Sequence, residues 1–399
     1  MRILLLSLYF PPDLSAGSFR MGPLVNALNE RLGPEDQLDV VTAKPTRYGS
    51  YSKEAADEER IGGARVRRIT LPKHQSGFID QAKTFIAFAR EVLRLTSDTR
   101  YDLVISTSSR LMTAALGAYI AQRDGARLCL DIRDIFVDTI GDVLPRKLAF
   151  VAVPFFDLVE KWTIRRANLV TLVSRGFSSY FERRYPQTTF RYLTNGIDRE
   201  FIDRVGTFGK DHEGGQPIRL LYAGNMGAGQ GLHRIVPGLA EGLGDGYEII
   251  LVGDGGTRPA LEAEIAARGL SNVELRKPVG RDDLLDLYRA ADVLFLHLND
   301  YDAFKKVLPS KLFEYGATEK PILAGIGGHA AEFARSEIPN LGLFAPCDVD
   351  GALRAFRSLD TGQTDRSAFI AKYDRAAISG QLADAFLSVM PERSSLTDP

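Results

Sequence analysis

One pattern occurs twice along this chain of 399 residues: a short continuous apolar run, a loop of small residues, then a stretch with helical apolar spacing. Arg2–Leu8 is the first such run, and an unbroken apolar run marks a strand buried on both faces. It ends at Pro11-Pro12 and Ser15-Ala16-Gly17-Ser18, and the helical pattern Phe19–Leu32 follows. Leu38–Thr42, Ala64–Leu71, Leu103–Ser106, Leu128–Ile132 and Leu169–Val173 continue that series. A second series runs through Arg219–Tyr222, Glu248–Leu251, Val273–Leu275, Val293–Leu298 and Pro321–Ala324. Strands alternating with helices give parallel sheets covered on both faces. Two series therefore predict an α/β protein of two Rossmann-like domains facing across a cleft. The expected domains are residues 1–198 and 199–377, with a C-terminal helix over about 378–399 packing back on the first. Arg199–Gln216, polar and Gly-rich, reads as the linker, and Tyr48–Arg60 as a polar loop.

Composition removes several classes. No run of roughly 18 uncharged apolar residues is present, so no spanning helix is expected. The apolar start leads straight into two prolines without a small-residue cleavage site, which favours a buried strand over a signal peptide. Cys129 and Cys347 lie far apart without metal-ligand spacing, and each reads as a reduced small hydrophobe of a cytoplasmic protein. No metal site is expected. The net charge is −1. Residues 1–198 nevertheless hold 28 Lys and Arg against 22 Asp and Glu. A basic first half suits an anionic partner, such as a phospholipid surface or a lipid diphosphate; plain surface variation suits it equally. No basic-aromatic motif points to nucleic acid. Two amphipathic stretches, Phe78–Leu95 and Leu148–Arg166, carry cations beside broad apolar faces. Each fits a helix at a membrane surface or one packed on a sheet.

The strand ends carry the chemistry. In the first half, Ser15, Gly17 and Arg20 follow the first strand, Ser108 follows the Leu103 strand, and Arg133 and Asp134 follow the Leu128 strand. Open α/β sheets bind ligands at these ends. Gly17 would let a ligand approach the backbone, and Arg20 would meet a phosphate or an acceptor; the alternative is a simple tight turn with a surface arginine. In the second half, the loop from Gly224 to Gly231 includes Gly224, Asn225, Gly227 and Gly229. Such a loop turns amides toward a diphosphate. Its glycine spacing is not the dinucleotide fingerprint, which disfavours a dehydrogenase. Gly253, Asp254 and Val279 end the next two strands. Then comes LPSKLFEYGATEKPI, in which Pro309 and Ser310 are expected to open and cap a helix. Lys311 in its first turn and Glu314 one turn on would pair a phosphate and ribose hydroxyls. The alternative is a capped surface helix with an ion pair between them. The five histidines have no evident partners for proton abstraction.

YAGNMGAGQGL at 222–232, LVGDGG at 251–256, LYRAADVLFL at 287–296, LPSKLFEYGATEKPI at 308–322 and NGID at 195–198 resemble the family-4 retaining glycosyltransferases of the GT-B fold. FPPDLSAGSFR at 10–20 and LDIRDIFVDTIGDV at 130–143 are similar to an O-antigen and capsule subgroup that includes N-acetylfucosamine-type transferases. The resemblance implies a metal-independent, cofactor-free transfer from a nucleoside diphosphate sugar, UDP-linked before GDP-linked. The implied acceptor is a saccharide on a polyprenyl diphosphate at the inner membrane face. Glu314 matches the second glutamate of the family's pair, which binds ribose. Lys306 stands where the first glutamate, which touches the donor sugar, is expected. Asn225 and Gln230-Gly231 stand where a diphosphate-holding basic pair is common, and Gly17 matches the N-terminal loop glycine. Arg133 and Asp134 occupy the region of the acceptor-side catalytic residue. Two rival readings are a nucleotide-sugar 2-epimerase of the same fold and a non-catalytic nucleotide-sugar-binding protein.

Overall fold

The computed structural model describes residues 1–13, 15–45, 55–72, 78–108, 111–143, 146–204, 206–208, 215–360 and 362–391. Most of the expected Gly-rich end of the linker and much of the Tyr48–Arg60 loop lie outside them. The chain divides into two compact units. Among the described residues, unit 1 comprises those of 1–45, 55–194 and 376–391, and unit 2 those of 195–375.

Unit 1 runs β1 (Arg2–Leu6), α1 (Ala16–Asn29), β2 (Gln37–Ala43), β3 (Glu58–Ile61), β4 (Ala64–Ile69), α2 (Phe78–Leu95) and β5 (Leu103–Thr107). It continues through α3 (Leu111–Asp124), β6 (Arg127–Ile132), α4 (Phe136–Val143), α5 (Arg146–Ile164), β7 (Leu169–Leu172), α6 (Ser178–Arg184) and β8 (Phe190–Tyr192). The strands lie in the order β3-β4-β2-β1-β5-β6-β7-β8. All neighbours are parallel except β3 on β4. The loop expected at Tyr48–Arg60 therefore ends in a strand, because Glu58–Ile61 completes a hairpin with Ala64–Arg67.

Unit 2 runs α7 (Arg199–Ile202), β9 (Ile218–Ala223), α8 (Leu232–Leu243), β10 (Tyr247–Val252), α9 (Arg258–Arg268), β11 (Val273–Arg276), α10 (Arg281–Ala290) and β12 (Val293–His297). It closes with α11 (Lys311–Gly316), β13 (Ile322–Gly325), α12 (Gly328–Glu337), β14 (Leu341–Phe344), α13 (Val349–Arg357) and α14 (Ser367–Lys372). Its sheet is all parallel, in the order β11-β10-β9-β12-β13-β14. The final helix, α15 (Arg375–Leu387), belongs almost wholly to unit 1.

Each unit has its own core. In unit 1, Ile3, Leu5, Leu24, Val40 and Ile105 pack with Leu382 and Phe386 of α15. In unit 2, Tyr222, Leu232, Ile235, Phe295 and Phe344 pack between the sheet and α8 and α13. The linker expectation fails over its described part. Phe201 and Phe208 are fully buried and stack at 6.3 Å between centroids, so this polar stretch is pinned into unit 2 by two aromatic side chains.

Both sheets reverse their direction of growth once. In unit 2, β9, β10 and β11 step one way, and β12, β13 and β14 step the other. The gap between β9 and β12 is therefore a topological switch point, where loops diverge and leave room at the carboxyl ends. In unit 1 the corresponding gap lies between β1 and β5.

Candidate active site

The loop leaving β9 and the start of α11 meet at the unit 2 switch point. Gly224 has φ +151°, and a Cβ there would fall 2.6 Å from the Lys311 ammonium. Only glycine leaves that space. Gly253, with φ +149°, lies so close that a Cβ would sit 1.8 Å from the Gly224 carbonyl oxygen. The loops after β9 and β10 thus touch backbone to backbone. Gly224 N donates to Val252 O at 2.8 Å, and Met226 N to Asp254 O at 2.8 Å.

Lys311 has no hydrogen bond or ion pair among the described residues, and its ammonium stands 5.7 Å from the Tyr222 ring centroid. Burial lowers its pKa, the charge of Glu314 raises it in part, and Arg281 lowers it further. Lys311 is half-buried, and an ammonium partly withdrawn from water without a bonded partner is unfavourable in an empty protein and favourable beside an anion. Glu314 is 7% exposed and accepts from the Tyr288 hydroxyl at 3.1 Å. Arg281 lies within its field; burial works against the Arg281 charge, and Glu314 and Asp198 sustain it. Arg281 in turn bonds Asp198 and Glu200, and Arg375 pairs with Asp198. The expected Ser310 cap is absent. Ser310 already has helical dihedrals and makes no side-chain cap bond, and Pro309 precedes the helix.

The Gly-rich loop is fixed from within and from behind. Asn225 Nδ2 donates to Gln230 Oε1 at 2.7 Å, and Gly227 N donates to the same oxygen at 3.2 Å. These two side chains bond each other and supply no charge. His297 is fully buried, and burial lowers its pKa to about 4. Cys347 N donates to its Nε2 at 2.9 Å, so the ring proton sits on Nδ1, 2.6 Å from Gln230 O. Asn299 Nδ2 donates to Ala228 O at 2.9 Å, and Asn299 N to Gly229 O at 2.9 Å. Val279 and Asp254 are half-buried at neighbouring strand ends, and Asp254 Oδ1 accepts from Gly255 N at 2.8 Å. Lys306 follows the short turn Asp302–Lys305 and is half-buried.

In unit 1, Ser15 caps α1 by accepting from Ser18 N at 3.2 Å. Gly17 is buried inside the first turn of α1 and is not among the positive-φ glycines, so it lies in the helix rather than in an open loop. Arg20 departs from the expectation of a phosphate or acceptor contact. It is 2% exposed, its Nε and Nη2 donate to both Asp131 oxygens at 2.9 Å, and its guanidinium also donates to Leu193 O and Thr194 O. Its charge is satisfied inside the protein. Ser108 Oγ accepts from Arg133 N at 3.1 Å, which joins the ends of β5 and β6. Asp134 is exposed beside them.

The structure therefore assembles Gly224, Asn225, Gly227, Gly253, Lys311 and Glu314 at one strand-end cluster in unit 2. It assembles Ser108 and Arg133 at another in unit 1. Tyr288, Arg281, Asp198, Asn299 and His297 were not singled out in sequence as site residues. Tyr288 lies inside LYRAAD and Asp198 inside NGID, so their motifs were visible while their contacts were not. Among the described residues, no group of three or more His, Cys, Asp or Glu is placed to hold a metal ion.

This arrangement, a glycine loop and a lysine–glutamate helix start at the switch point of the second of two α/β units, defines a class. Residues 21–196 match the glycosyl transferase 4-like domain, and residues 208–375 match the glycosyl transferases group 1 domain. The chain belongs to the GT4-type glycosyltransferases of the GT-B fold. It is 24% identical over 336 residues to a putative colanic acid biosynthesis glycosyl transferase, WcaI, of Escherichia coli K12. That match covers 78% of this chain and 80% of the relative. Sucrose-phosphate synthase from Thermosynechococcus elongatus shares the fold with a TM-score of 0.71 at 16% identity, over 98% of this chain and 99% of that one. Anabaena HepE, solved in complex with UDP, gives 0.62 at 15% identity, over 97% and 100%. No helix among the described residues is long and apolar enough to cross a membrane.

Proposed function

We propose that the chain moves a sugar, with retention of anomeric configuration, from a UDP-sugar to a saccharide carried on a lipid diphosphate during surface polysaccharide assembly. The observation that carries the donor half of this reading is the bond-free Lys311 ammonium packed against Gly224. Supporting it are the name of the colanic acid relative and the UDP held by HepE. Glu314, braced by Tyr288, binds the ribose hydroxyls. Lys311 and the loop amides from Gly224 to Gly227 take the charge that grows on the departing phosphate, the largest electrostatic need of glycosyl transfer. No cofactor or metal is assigned a part. The acceptor attacks from the face the phosphate leaves, and that phosphate takes the acceptor proton. Asp134 and Arg133 serve the acceptor side, and Lys306 contacts the donor sugar. The enzyme works in the cytoplasm at the membrane surface, which it meets through Phe78–Leu95 and Leu148–Arg166.

The test is a thermal-shift titration with UDP and GDP on the wild type and on Glu314→Gln. A nucleotide at 100 times its dissociation constant adds about 2.7 kcal/mol of stability. A UDP shift that shrinks in Glu314→Gln supports the donor site. No shift with either nucleotide in folded protein sinks it.

A further inference from the structure

An apolar recess in unit 1 lies apart from the strand-end cluster. It has a volume of about 490 Å³ and opens between α2 and α5. Phe85 and Ile86 form one wall, Val151, Ala152 and Phe155 the other, and Met112 of α3 lies at its base. Beneath it, Leu111, Val137, Ile140 and Phe156 form a small core of their own, so the recess has a closed floor. Its volume falls within the roughly 300–1,000 Å³ of small-molecule pockets. Gln81 is the one polar residue lining it among the described residues. A sugar or nucleotide placed there would lose water without gaining hydrogen bonds. The lining selects a hydrocarbon.

Two cations on α2, three residues before and four residues after the lining residue Ile86, give the ligand its other end. Lys83 and Arg90, seven residues apart on α2 and so on one side of the helix, are both exposed. Neither makes an ion pair among the described residues. Phe150 and Leu158 are 83% and 67% exposed on α5 and lie outside the recess. A flat bilayer would cover those two side chains without filling a recess. A single chain bent out of the bilayer would fill it while its anionic head stays at the cations.

We propose that this recess binds one isoprenoid chain of the lipid that carries the acceptor. The proposal rests on the lipid-linked reading of the acceptor. It adds that the enzyme holds part of the lipid itself, beyond touching a membrane. It predicts selectivity for the chain as well as for the saccharide.

The test titrates the full chain with farnesyl phosphate, with farnesol and inorganic phosphate as controls, by calorimetry. Saturable one-to-one binding of farnesyl phosphate is expected, with none of phosphate alone. Ala152→Phe fills the recess and should weaken binding about tenfold or more, as should Phe155→Ser. A circular dichroism spectrum and a cooperative melt matching those of the wild type show that each variant is folded. Three results overturn the proposal: wild-type affinity in both variants; binding to phosphatidylglycerol vesicles without uptake of farnesyl phosphate; or a dimer that Phe155→Ser dissociates, which would assign the face to a second copy. If the probe binds as expected while no UDP-sugar is turned over with any acceptor, the recess stands and the transferase reading falls. If transfer to a lipid-linked acceptor proceeds while Ala152→Phe binds the probe like wild type, the reverse holds.

Discussion

Each unit has a strand-order reversal, between β1 and β5 in unit 1 and between β9 and β12 in unit 2, but the groups standing at the two gaps differ. At the unit 2 gap, glycines withdraw from the space and a lysine enters it without a bonded partner. At the unit 1 gap, the arginine that enters is bound on all sides by Asp131 and two carbonyls. The outer surfaces differ in the opposite sense. All the large hydrophobic side chains left exposed among the described residues, from Ile86 to Leu158, lie in unit 1. One fold thus leaves a polar group unsatisfied in one copy and an apolar face uncovered in the other. Unmet interactions of either kind mark where a ligand is expected.

That contrast can be broken by removing each cation in turn. Arg20→Met leaves Asp131 buried and unpaired in unit 1, and it should cost about 3–5 kcal/mol of stability in chemical denaturation. Folding energy close to wild type would mean that the pair does no structural work. Lys311→Met should act the other way. It should weaken UDP binding roughly ten- to a hundredfold, the range of a charge-assisted bond, and raise the melting temperature of the nucleotide-free protein. A variant that melts lower without nucleotide would show that Glu314 depends on Lys311, and the contrast between satisfied and unsatisfied cations would be lost.

A smaller effect separates titration in unit 1 from binding in unit 2. Glu160 is 2% exposed on α5 and accepts from the hydroxyls of Tyr180 and Tyr185. Burial raises its pKa from 4.5 to about 7, against the pull of those two bonds. The folded state therefore holds a proton that the unfolded state releases, so stability falls as pH rises from about 4.5 to about 7. Glu160→Gln should gain on the wild type across that window and keep its gain above it. Parallel melting curves from pH 4 to pH 8 would discard this, while UDP affinity should not move. Least of all, Phe150→Ser should change folding stability by under about 0.5 kcal/mol, because the side chain is already in water. A larger loss would mean that the face is covered within the molecule.

What the sequence yielded followed from short-range pattern. Arg2–Leu6 and Val293–His297 are strands because unbroken apolar runs have few other uses, and the glycines at 224 and 253 stand where backbone must meet backbone. What it withheld was long-range pairing. Arg20 looked like a site residue because it opens a helix after a strand, and its partner lies 111 residues away. Glu314 is legible in sequence, but Tyr288, which braces it, shows there only as one residue of the motif LYRAADVLFL. The Arg199–Gln216 stretch looked like a linker because its average composition is polar, yet Phe201 and Phe208 fix it in unit 2. Composition counts residues equally, whereas burial depends on a few.

The return of the chain through α15 sets an order of manufacture. Leu382, Ala383, Ala385 and Phe386 belong to the unit 1 core, and the Cys129 thiol meets the Phe386 carbonyl oxygen at 3.8 Å. A ribosome supplies these residues only after every strand of unit 2 has emerged. The usual progression, in which the N-terminal domain folds as it leaves the ribosome, is interrupted here. Unit 1 is the first to be started and the last to be finished, and for most of its synthesis one wall of its core is missing.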